Sequence, residues 1–420
     1  MLLLLLSGLP LSCAQPTQPK TAHGFKSDAI HLNQPVLGIN EAVSVPRALV
    51  RNNRLTETEV LAQLRKEASL TMQLGAKTVR ANSHTYPYLN YMDAQTWSWT
   101  AHADRYVQTI QAFDLEPVMV IGPWPGIQTA LYTQNYLPKD MTAYANWVEA
   151  VVERYDGDGF EDMPDLKYPI LYWEVDNEPD LHNHRPPRGK PNSIDPSTFE
   201  TPAEYAQLLT TTSAAIRKAN PKAKVLFGGL ASVQNAHGQA YLKQVLSQVD
   251  PNVFDILSVH CYIDKPTING LERSMIFVRS ILPDTPVWLT ETGLPSDERK
   301  AWMTENKQGE MLYEIIASSL LIGFERVYWH TLKTPEKIHG PFASHGLLRS
   351  RNDNYAEKPS GLVYKALSDI LYPAQWIQEN SAGFSSDLGY FSSQADENGQ
   401  PLVPMSLNLP YWHPSLQSDK

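Results

Sequence analysis

Residues 170–180 of the chain read Ile-Leu-Tyr-Trp-Glu-Val-Asp-Asn-Glu-Pro-Asp, a short apolar run that ends in acidic and amide residues. A run of this length, rich in large apolar side chains and bounded by proline, is typical of a buried strand. Seven further runs of the same kind lie along the chain, separated by longer stretches with helical patterns. The eight predicted strands cover residues 36–40, 77–82, 117–122, 170–176, 224–229, 255–262, 286–291 and 326–330.

The stretches between the predicted strands carry the signals of helix ends. Thr56 with Glu59 and Thr201 with Glu204 have the spacing of a capping box, and glycines follow the helical patterns. Eight strands with continuous apolar runs, each followed by a helix, predict a parallel sheet closed into a (β/α)8 TIM barrel over residues 35–372. An open doubly wound sheet is the alternative fold. Its usual dinucleotide-binding version is excluded because no Gly-x-Gly-x-x-Gly follows the first strand.

Both termini fall outside the predicted barrel. Residues 1–13 combine an apolar run with Cys13 and resemble the signal of a bacterial lipoprotein, so they predict export and a lipid anchor on Cys13. The chain is then secreted, periplasmic or a cell-surface lipoprotein. Residues 14–34 are predicted as a linker, and residues 373–420 as a small β appendage. The remaining cysteine, Cys261, lies in an apolar stretch and is predicted to be buried.

The composition narrows the class of partner. The chain has 35 basic and 45 acidic residues, a net charge of −10, and no long basic run. A nucleic-acid partner is therefore excluded, because such proteins neutralise phosphates with many lysines and arginines. Aromatic residues make up 10% of the chain and are weighted towards tyrosine and tryptophan. This bias suits surfaces that stack on sugar rings, with core packing as the open alternative.

Two glutamates lie at the carboxyl ends of two predicted strands. Glu178 follows the fourth predicted strand and Glu291 ends the seventh. In a barrel the carboxyl ends of all strands meet at one mouth, so these side chains are expected to lie close together. Cleavage of a glycosidic bond uses such a pair, in which one carboxyl protonates the leaving oxygen and the other attacks or stabilises the sugar.

The motifs around both glutamates resemble those of the clan A, or 4/7, retaining glycoside hydrolases. Asn177-Glu178-Pro179 stands at the fourth predicted strand and Thr290-Glu291-Thr292-Gly293 at the seventh. The resemblance covers residues 35–372 and implies that Glu178 is the acid/base and Glu291 the nucleophile. Residues 171–179 are most similar to glycoside hydrolase family 39, with family 5 as its neighbour. Family 39 includes β-xylosidases, α-L-iduronidases and endo-acting enzymes on bacterial exopolysaccharides.

The same resemblance implies a set of substrate-binding residues. It implies that Asn177 hydrogen-bonds the sugar 2-hydroxyl and that Arg80 lies beside the nucleophile. His260 and Tyr262 resemble the histidine and tyrosine that surround the catalytic pair, and Trp329 resembles the aromatic floor under the sugar. From its position after the third predicted strand, Trp124 is predicted either to line a subsite or to pack a rigid turn.

Two other functions remain open at this point. The first is a glycan-binding surface protein that kept the barrel without its activity. The second is a metal-dependent hydrolase that uses Asp180, His182 and His184, since alternating histidine and carboxylate side chains can share a cation. We favour a solvated loop for these three residues and predict no metal and no cofactor. Asp176 stands where the resemblance to family 39 implies a small aromatic or polar residue, and it is predicted either to favour the general-acid role of Glu178 or to point away.

Overall fold

The computed structural model describes residues 36–44, 55–81, 89–91, 103–123, 137–181, 201–262, 268–297, 303–335 and 344–372. The predicted signal, linker and β appendage lie outside these residues, as do Trp124, His182 and His184. Among the helices of the described residues, none combines the length and hydropathy that crossing a bilayer requires.

The described residues contain nine strands, all paired in parallel in one sheet. They are β1 Val36–Asn40, β2 Thr78–Ala81, β3 Leu89–Tyr91, β4 Glu116–Pro123, β5 Tyr172–Asn177, β6 Lys224–Leu230, β7 Ile256–Tyr262, β8 Val287–Gly293 and β9 Arg326–His330. The sheet closes because β1 pairs with both β2 and β9 and because β2 pairs directly with β4. The additional β3 lies against the end of β4 only.

Closure confirms the predicted barrel and excludes the open sheet. All eight predicted strands are present, and the fourth and seventh of them are β5 and β8. Their ends differ slightly from the prediction, since β5 extends to Asn177 and β8 to Gly293. Both extensions carry the strands further towards the mouth, where the predicted catalytic residues lie.

Eight helices in the described residues surround the barrel. They are α1 Glu57–Gln73, α2 Ala103–Ala112, α3 Met141–Glu153, α4 Pro202–Ala219, α5 Ala236–Leu246, α6 Asn269–Ile281, α7 Glu305–Leu321 and α8 Pro359–Leu371. Both predicted capping boxes are present, at the first turns of α1 and α4. Gly75 and Gly323 follow α1 and α7 with φ of 84° and 103°, a backbone conformation that glycine adopts without a Cβ clash.

Two apolar clusters form the core. The larger one lies between the strands and the helices and includes the buried Cys261, as predicted. The smaller one takes one side chain from each of six strands and fills the inside of the barrel near the amino ends of the strands; its members are Val118, Tyr172, Leu226, Ile256, Trp288 and Tyr328. The Arg326 guanidinium stacks 4.5 Å from the Tyr172 ring centre and 4.1 Å from that of Trp288. The amino end of the barrel is therefore closed, and polar side chains occupy the interior at the opposite end.

Candidate active site

Glu178 and Glu291 meet at the carboxyl ends of β5 and β8. One carboxylate oxygen from each, together with a ring nitrogen of His260, all lie within 4.8 Å of one another. The Glu291 side chain is 6% exposed and that of Glu178 is 14% exposed. The structure thus brings the predicted pair together, with Glu178 the more accessible carboxyl.

A bulge in β8 turns Glu291 into the barrel. Val259 of β7 pairs with Leu289, but the next residue, His260, pairs with Glu291, so that Thr290 is an additional residue in β8. Leu289 lies in the outer core, and regular alternation would put Glu291 on that same outer side. The extra residue reverses the alternation, as bulges beside active sites commonly do.

A left-handed residue in β5 has a similar effect on Asn177. Asp176 has a φ of 67° and Glu178 a φ of 54°, conformations that cost free energy for residues with a Cβ and that cluster at functional sites. Alternation from the inward Glu174 would place Asn177 outside the barrel. Instead its amide oxygen accepts a hydrogen bond from Arg80 Nη2 at 2.8 Å. That bond fixes the orientation of the Asn177 amide and leaves its NH₂ group as the donor for other partners.

Arg80 connects the buried polar groups of the site. It is fully buried and forms a two-bond ion pair with Glu174, at 2.6 and 3.0 Å. Its Nη1 donates to Glu291 Oε1 at 2.7 Å and to the Asn40 amide oxygen at 3.1 Å. The guanidinium is therefore shared between two carboxylates and holds Glu291 in one orientation. This is the position beside the nucleophile that the resemblance implied.

Glu291 is held in its ionised form. Its burial acts to raise its pKa, but the positive charges of His260 and Arg80 and the hydrogen bond from Tyr262 outweigh burial and place the pKa well below the usual range. The Tyr262 hydroxyl donates to Glu291 Oε2 at 2.5 Å. Burial and the adjacent Glu291 charge raise the pKa of Tyr262 well above its ordinary value, so it remains a donor. A carboxylate that stays ionised at neutral pH is suited to nucleophilic attack.

His260 lies between the two glutamates. Its Nδ1 is 2.9 Å from Glu178 Oε1 and 3.7 Å from Glu291 Oε2. Burial acts to lower its pKa, but the two carboxylates outweigh burial and raise it. Gly229 makes room for the ring, because a Cβ there would lie 2.0 Å from His260 Nε2. The structure therefore places His260 against both members of the pair and Tyr262 against Glu291.

Asp180 does not have the environment of a metal ligand. It is 1% exposed. Its Oδ1 accepts from the Ala231 amide and its Oδ2 from the Ser232 amide, both at 2.9 Å, and the Ser232 hydroxyl also donates to Oδ2. Both oxygens are thus used to join the loop after β5 to the loop after β6. This argues against the predicted alternative of a metal-dependent hydrolase, whose His182 and His184 lie outside the described residues.

Trp329 does not line the mouth, which corrects the prediction of an aromatic floor. Its side chain is fully buried in the outer core, and the indole N–H donates to the His345 carbonyl at 2.9 Å. The reason is strand alternation: Tyr328 points into the barrel, Trp329 points out, and His330 points in again. The residue of β9 next to Glu291 is His330. The prediction for Trp124 concerns a residue outside the described part of the chain.

Three residues of this site were not predicted from the sequence, namely Asn40, Glu174 and His330. A signal existed for Glu174, because a carboxylate inside an apolar strand requires a buried partner. No comparable signal marked Asn40 or His330, whose roles depend on contacts with distant strands. Asp176 was predicted either to influence Glu178 or to point away. Its Oδ1 accepts the backbone N–H of its neighbour Asn177 at 2.7 Å.

Comparison with known proteins agrees with this geometry. Residues 175–331 match the family model described as the glycosyl hydrolase catalytic core. Residues 175–331 are therefore similar to a glycosyl hydrolase catalytic core. The matched residues include Glu178, His260 and Glu291, whereas Arg80 precedes them. Among curated protein sequences, none matches the chain.

Solved structures share the fold of this catalytic core. A family 39 glycoside hydrolase from Bacteroides cellulosilyticus WH2 is 16% identical, with a TM-score of 0.57, over 81% of this chain and 65% of its own. A glucosidase from Croceicoccus marinus is 16% identical, with a TM-score of 0.56, over 80% and 66%. An exo-β-1,4-mannosidase from Opitutaceae bacterium strain TAV5 is 16% identical, with a TM-score of 0.55, over 80% and 59%. The chain thus aligns with about two thirds or less of these structures. The predicted resemblance to a glycoside hydrolase agrees with the family model, and the likeness to a family 39 structure is one of fold.

Proposed function

We propose that the protein is a retaining glycoside hydrolase that cleaves an O-glycosidic bond by double displacement. The observation that carries the proposal is the short separation of Glu178 and Glu291, which have carboxylate oxygens within 4.8 Å of each other. Retaining enzymes hold their two carboxyl groups about 5–5.5 Å apart, whereas inverting enzymes keep about 6.5–9.5 Å to admit a water molecule. The catalytic-core match and the buried cation beside Glu291 support the same assignment.

In the first step Glu291 attacks the anomeric carbon and forms a covalent bond to the sugar. The bond between that carbon and the leaving oxygen breaks, and Glu178 transfers its proton to this oxygen. Arg80 and Tyr262 each hold one oxygen of Glu291 and fix its direction of attack. The fixed NH₂ group of Asn177 is a donor suited to the sugar 2-hydroxyl, a contact that strengthens in the transition state.

In the second step Glu178 is a base. It removes a proton from a water molecule, whose oxygen attacks the anomeric carbon and displaces Glu291. The sugar leaves with its original configuration, and both carboxyl groups return to their starting states. The greater exposure of Glu178 suits this role, because it must exchange with leaving group and water in turn.

The substrate class we propose is an extracellular poly- or oligosaccharide. The similar structures include a glucosidase and a mannosidase, so the fold does not select one sugar. The test is to incubate the protein with a panel of polysaccharides and aryl glycosides and to follow the anomeric proton signals by NMR from the first minutes. Products that first appear in the configuration of the substrate are expected. Products that first appear inverted are incompatible with double displacement.

Glu178→Gln is expected to separate substrates by leaving group. Natural glycosides need protonation of the leaving oxygen, so their kcat should fall by about 10²–10⁴-fold. A 2,4-dinitrophenyl glycoside needs no proton, so formation of the covalent intermediate, measured as the burst of dinitrophenol, should stay within about tenfold of the parent. Equal losses on both substrates would contradict the assignment of Glu178 as the general acid.

We also propose that the protein is exported and anchored through a lipid on Cys13. The support is the apolar run of residues 1–13 followed by a polar stretch. Expression in a bacterial host with labelled palmitate is expected to label the parent and not a Cys13→Ser variant. Cys261→Ser is the matched control, because Cys261 is buried in the core and should not affect labelling. Labelling that survives Cys13→Ser would overturn the proposal of an anchor at this residue.

A further inference from the structure

His330 occupies the place at the mouth that Trp329 was expected to fill. In β9 the alternation is regular, since Gly38, Ile39 and Asn40 of β1 pair in order with residues 328–330. His330 is half-buried, and its ring packs against the Tyr262 ring, whose hydroxyl donates to Glu291. The β9 residue beside the nucleophile is therefore an imidazole instead of an indole.

A chain of hydrogen bonds determines which nitrogen of His330 carries the proton. Arg80 Nη1 donates to Asn40 Oδ1 at 3.1 Å, which identifies the oxygen of that amide. The other end of the amide, Nδ2, lies 3.1 Å from His330 Nδ1 and can only donate. His330 Nδ1 is therefore an acceptor, and the ring carries its proton on Nε2. Because Arg80 also binds Glu291, the orientation of His330 is coupled to that of the nucleophile.

Two neighbouring rings hold the plane of His330. The Tyr262 ring packs edge-on with centres 5.8 Å apart, and the His345 ring does so at the same 5.8 Å. The His345 backbone carbonyl is in turn held by the Trp329 indole. The His330 ring is thus restricted on two sides by aromatic contacts and at Nδ1 by Asn40. A donor fixed in this way loses little conformational entropy when it binds a ligand.

We propose that His330 is a sugar-binding residue of this site and that its Nε2–H donates to a hydroxyl of the sugar beside Glu291. This inference rests on the proposed glycoside hydrolase function and adds a specificity-determining contact to it. In an imidazole the two nitrogens point in widely different directions, so Nε2 faces away from Asn40. A tryptophan side chain stacks on any sugar with a flat apolar face, whereas a single hydrogen-bond donor favours sugars with a hydroxyl at one position. The subsite therefore discriminates between sugars by that hydroxyl.

Three substitutions separate the donor from the ring. His330→Phe keeps an aromatic ring without a donor, His330→Ala removes both, and His330→Gln carries an amide N–H near the position of Nε2. The assay uses the 4-nitrophenyl glycoside that the parent cleaves fastest. We expect kcat/KM to fall by about 10–100-fold for His330→Phe and His330→Ala, as for one lost hydrogen bond to substrate. His330→Gln should stay within about fivefold of the parent.

Monodeoxy glycosides identify the partner hydroxyl. The kcat/KM of the parent should be about 10-fold or more lower on the analogue that lacks this hydroxyl than on the complete glycoside. On that analogue, His330→Ala should lower kcat/KM by less than about twofold further. Long-range nitrogen–proton NMR of histidine-labelled protein, compared with His330→Gln for assignment, should show His330 protonated on Nε2. The NMR measurement does not depend on activity. In the kinetic measurement, a residue that only packs would not make the effect of His330→Ala depend on one sugar hydroxyl.

The outcomes for the two proposals are distinguishable. A parent that cleaves no glycoside overturns the proposed function. An active parent with His330 protonated on Nδ1, or with His330→Phe as active as the parent, overturns the role of His330 alone. If kcat/KM falls as far for His330→Gln as for His330→Ala, the proposed role of Nε2 as a donor is also contradicted. Melting temperatures of the variants close to that of the parent exclude unfolding as the cause.

Discussion

Glu291→Ala is expected to reduce turnover of every glycoside substrate on the order of 10⁵-fold, a loss typical of removing a nucleophile. The physical reason is that the substitution removes the carboxylate that Arg80 and Tyr262 orient and hold ionised. The measurement is kcat on the best aryl glycoside, with folding checked by circular dichroism. The fold should survive, because Glu174 still pairs with Arg80.

A small anion should restore part of this activity. Alanine leaves a gap below the sugar, and azide can enter it and attack the anomeric carbon from the side of the lost carboxylate. The product is then a glycosyl azide of inverted configuration, which NMR identifies. Glu310→Gln is the matched control, since Glu310 lies exposed on α7, where it pairs with Lys307, so turnover should be unchanged. More than one tenth of parent activity in Glu291→Ala would contradict its assignment as nucleophile.

Arg80→Met is expected to lower the free energy of unfolding by about 3–5 kcal/mol, the usual cost of leaving buried charges without their partner. Arg80 is fully buried, and its loss leaves the carboxylates of Glu174 and Glu291 without this positively charged partner. Urea unfolding followed by tryptophan fluorescence measures the change. The matched control is Arg349→Met: the Arg349 side chain is 51% exposed in its ion pair with Glu305. Exposed pairs contribute about 0–1 kcal/mol, so this control should differ little from the parent.

The same variant should change the pH dependence. In the parent the folded-state pKa of Glu291 is lowered, so its contribution to stability is present above the unfolded value and is lost as pH falls through the folded one. Without Arg80 that pKa rises, so the acid limb of kcat/KM should move to higher pH. The stability difference between parent and variant should also shrink towards acid pH, where a protonated Glu291 needs no cation. Arg80→Lys should give an intermediate shift of the acid limb. An acid limb that does not move in Arg80→Met would show that Arg80 does not act on the nucleophile.

The barrel and the catalytic pair could be predicted because both follow from local patterns combined with one topological rule. Apolar runs and capping boxes indicate strands and helices wherever they occur, and the described residues confirm both boxes and all eight strands. In a barrel every strand ends at the same mouth. Glu178 and Glu291 could therefore be placed together although 291 − 178 = 113 positions separate them.

The residues that surround the two glutamates could not be predicted in the same way. Trp329 was assigned to the mouth because its residue type fitted a sugar platform, yet alternation in β9 turns it into the outer core. Asn40 acquires its role only because β1 lies between β2 and β9, where it joins Arg80 to His330. Such contacts depend on which strands are neighbours in the closed barrel and on the direction in which each side chain points. A residue-type pattern within one segment predicts neither of them.

The sequence by itself determined the fold class, the strand order along the chain and the identity of the two glutamates, because these depend on short-range patterning and on the shared mouth of a barrel. Only the tertiary structure decided which side chains enter that mouth. The bulge at Thr290 turns Glu291 inward, and the left-handed Asp176 turns Asn177 inward. Both irregularities reverse the two-residue period of a strand, and Arg80 binds the two side chains that they turn inward.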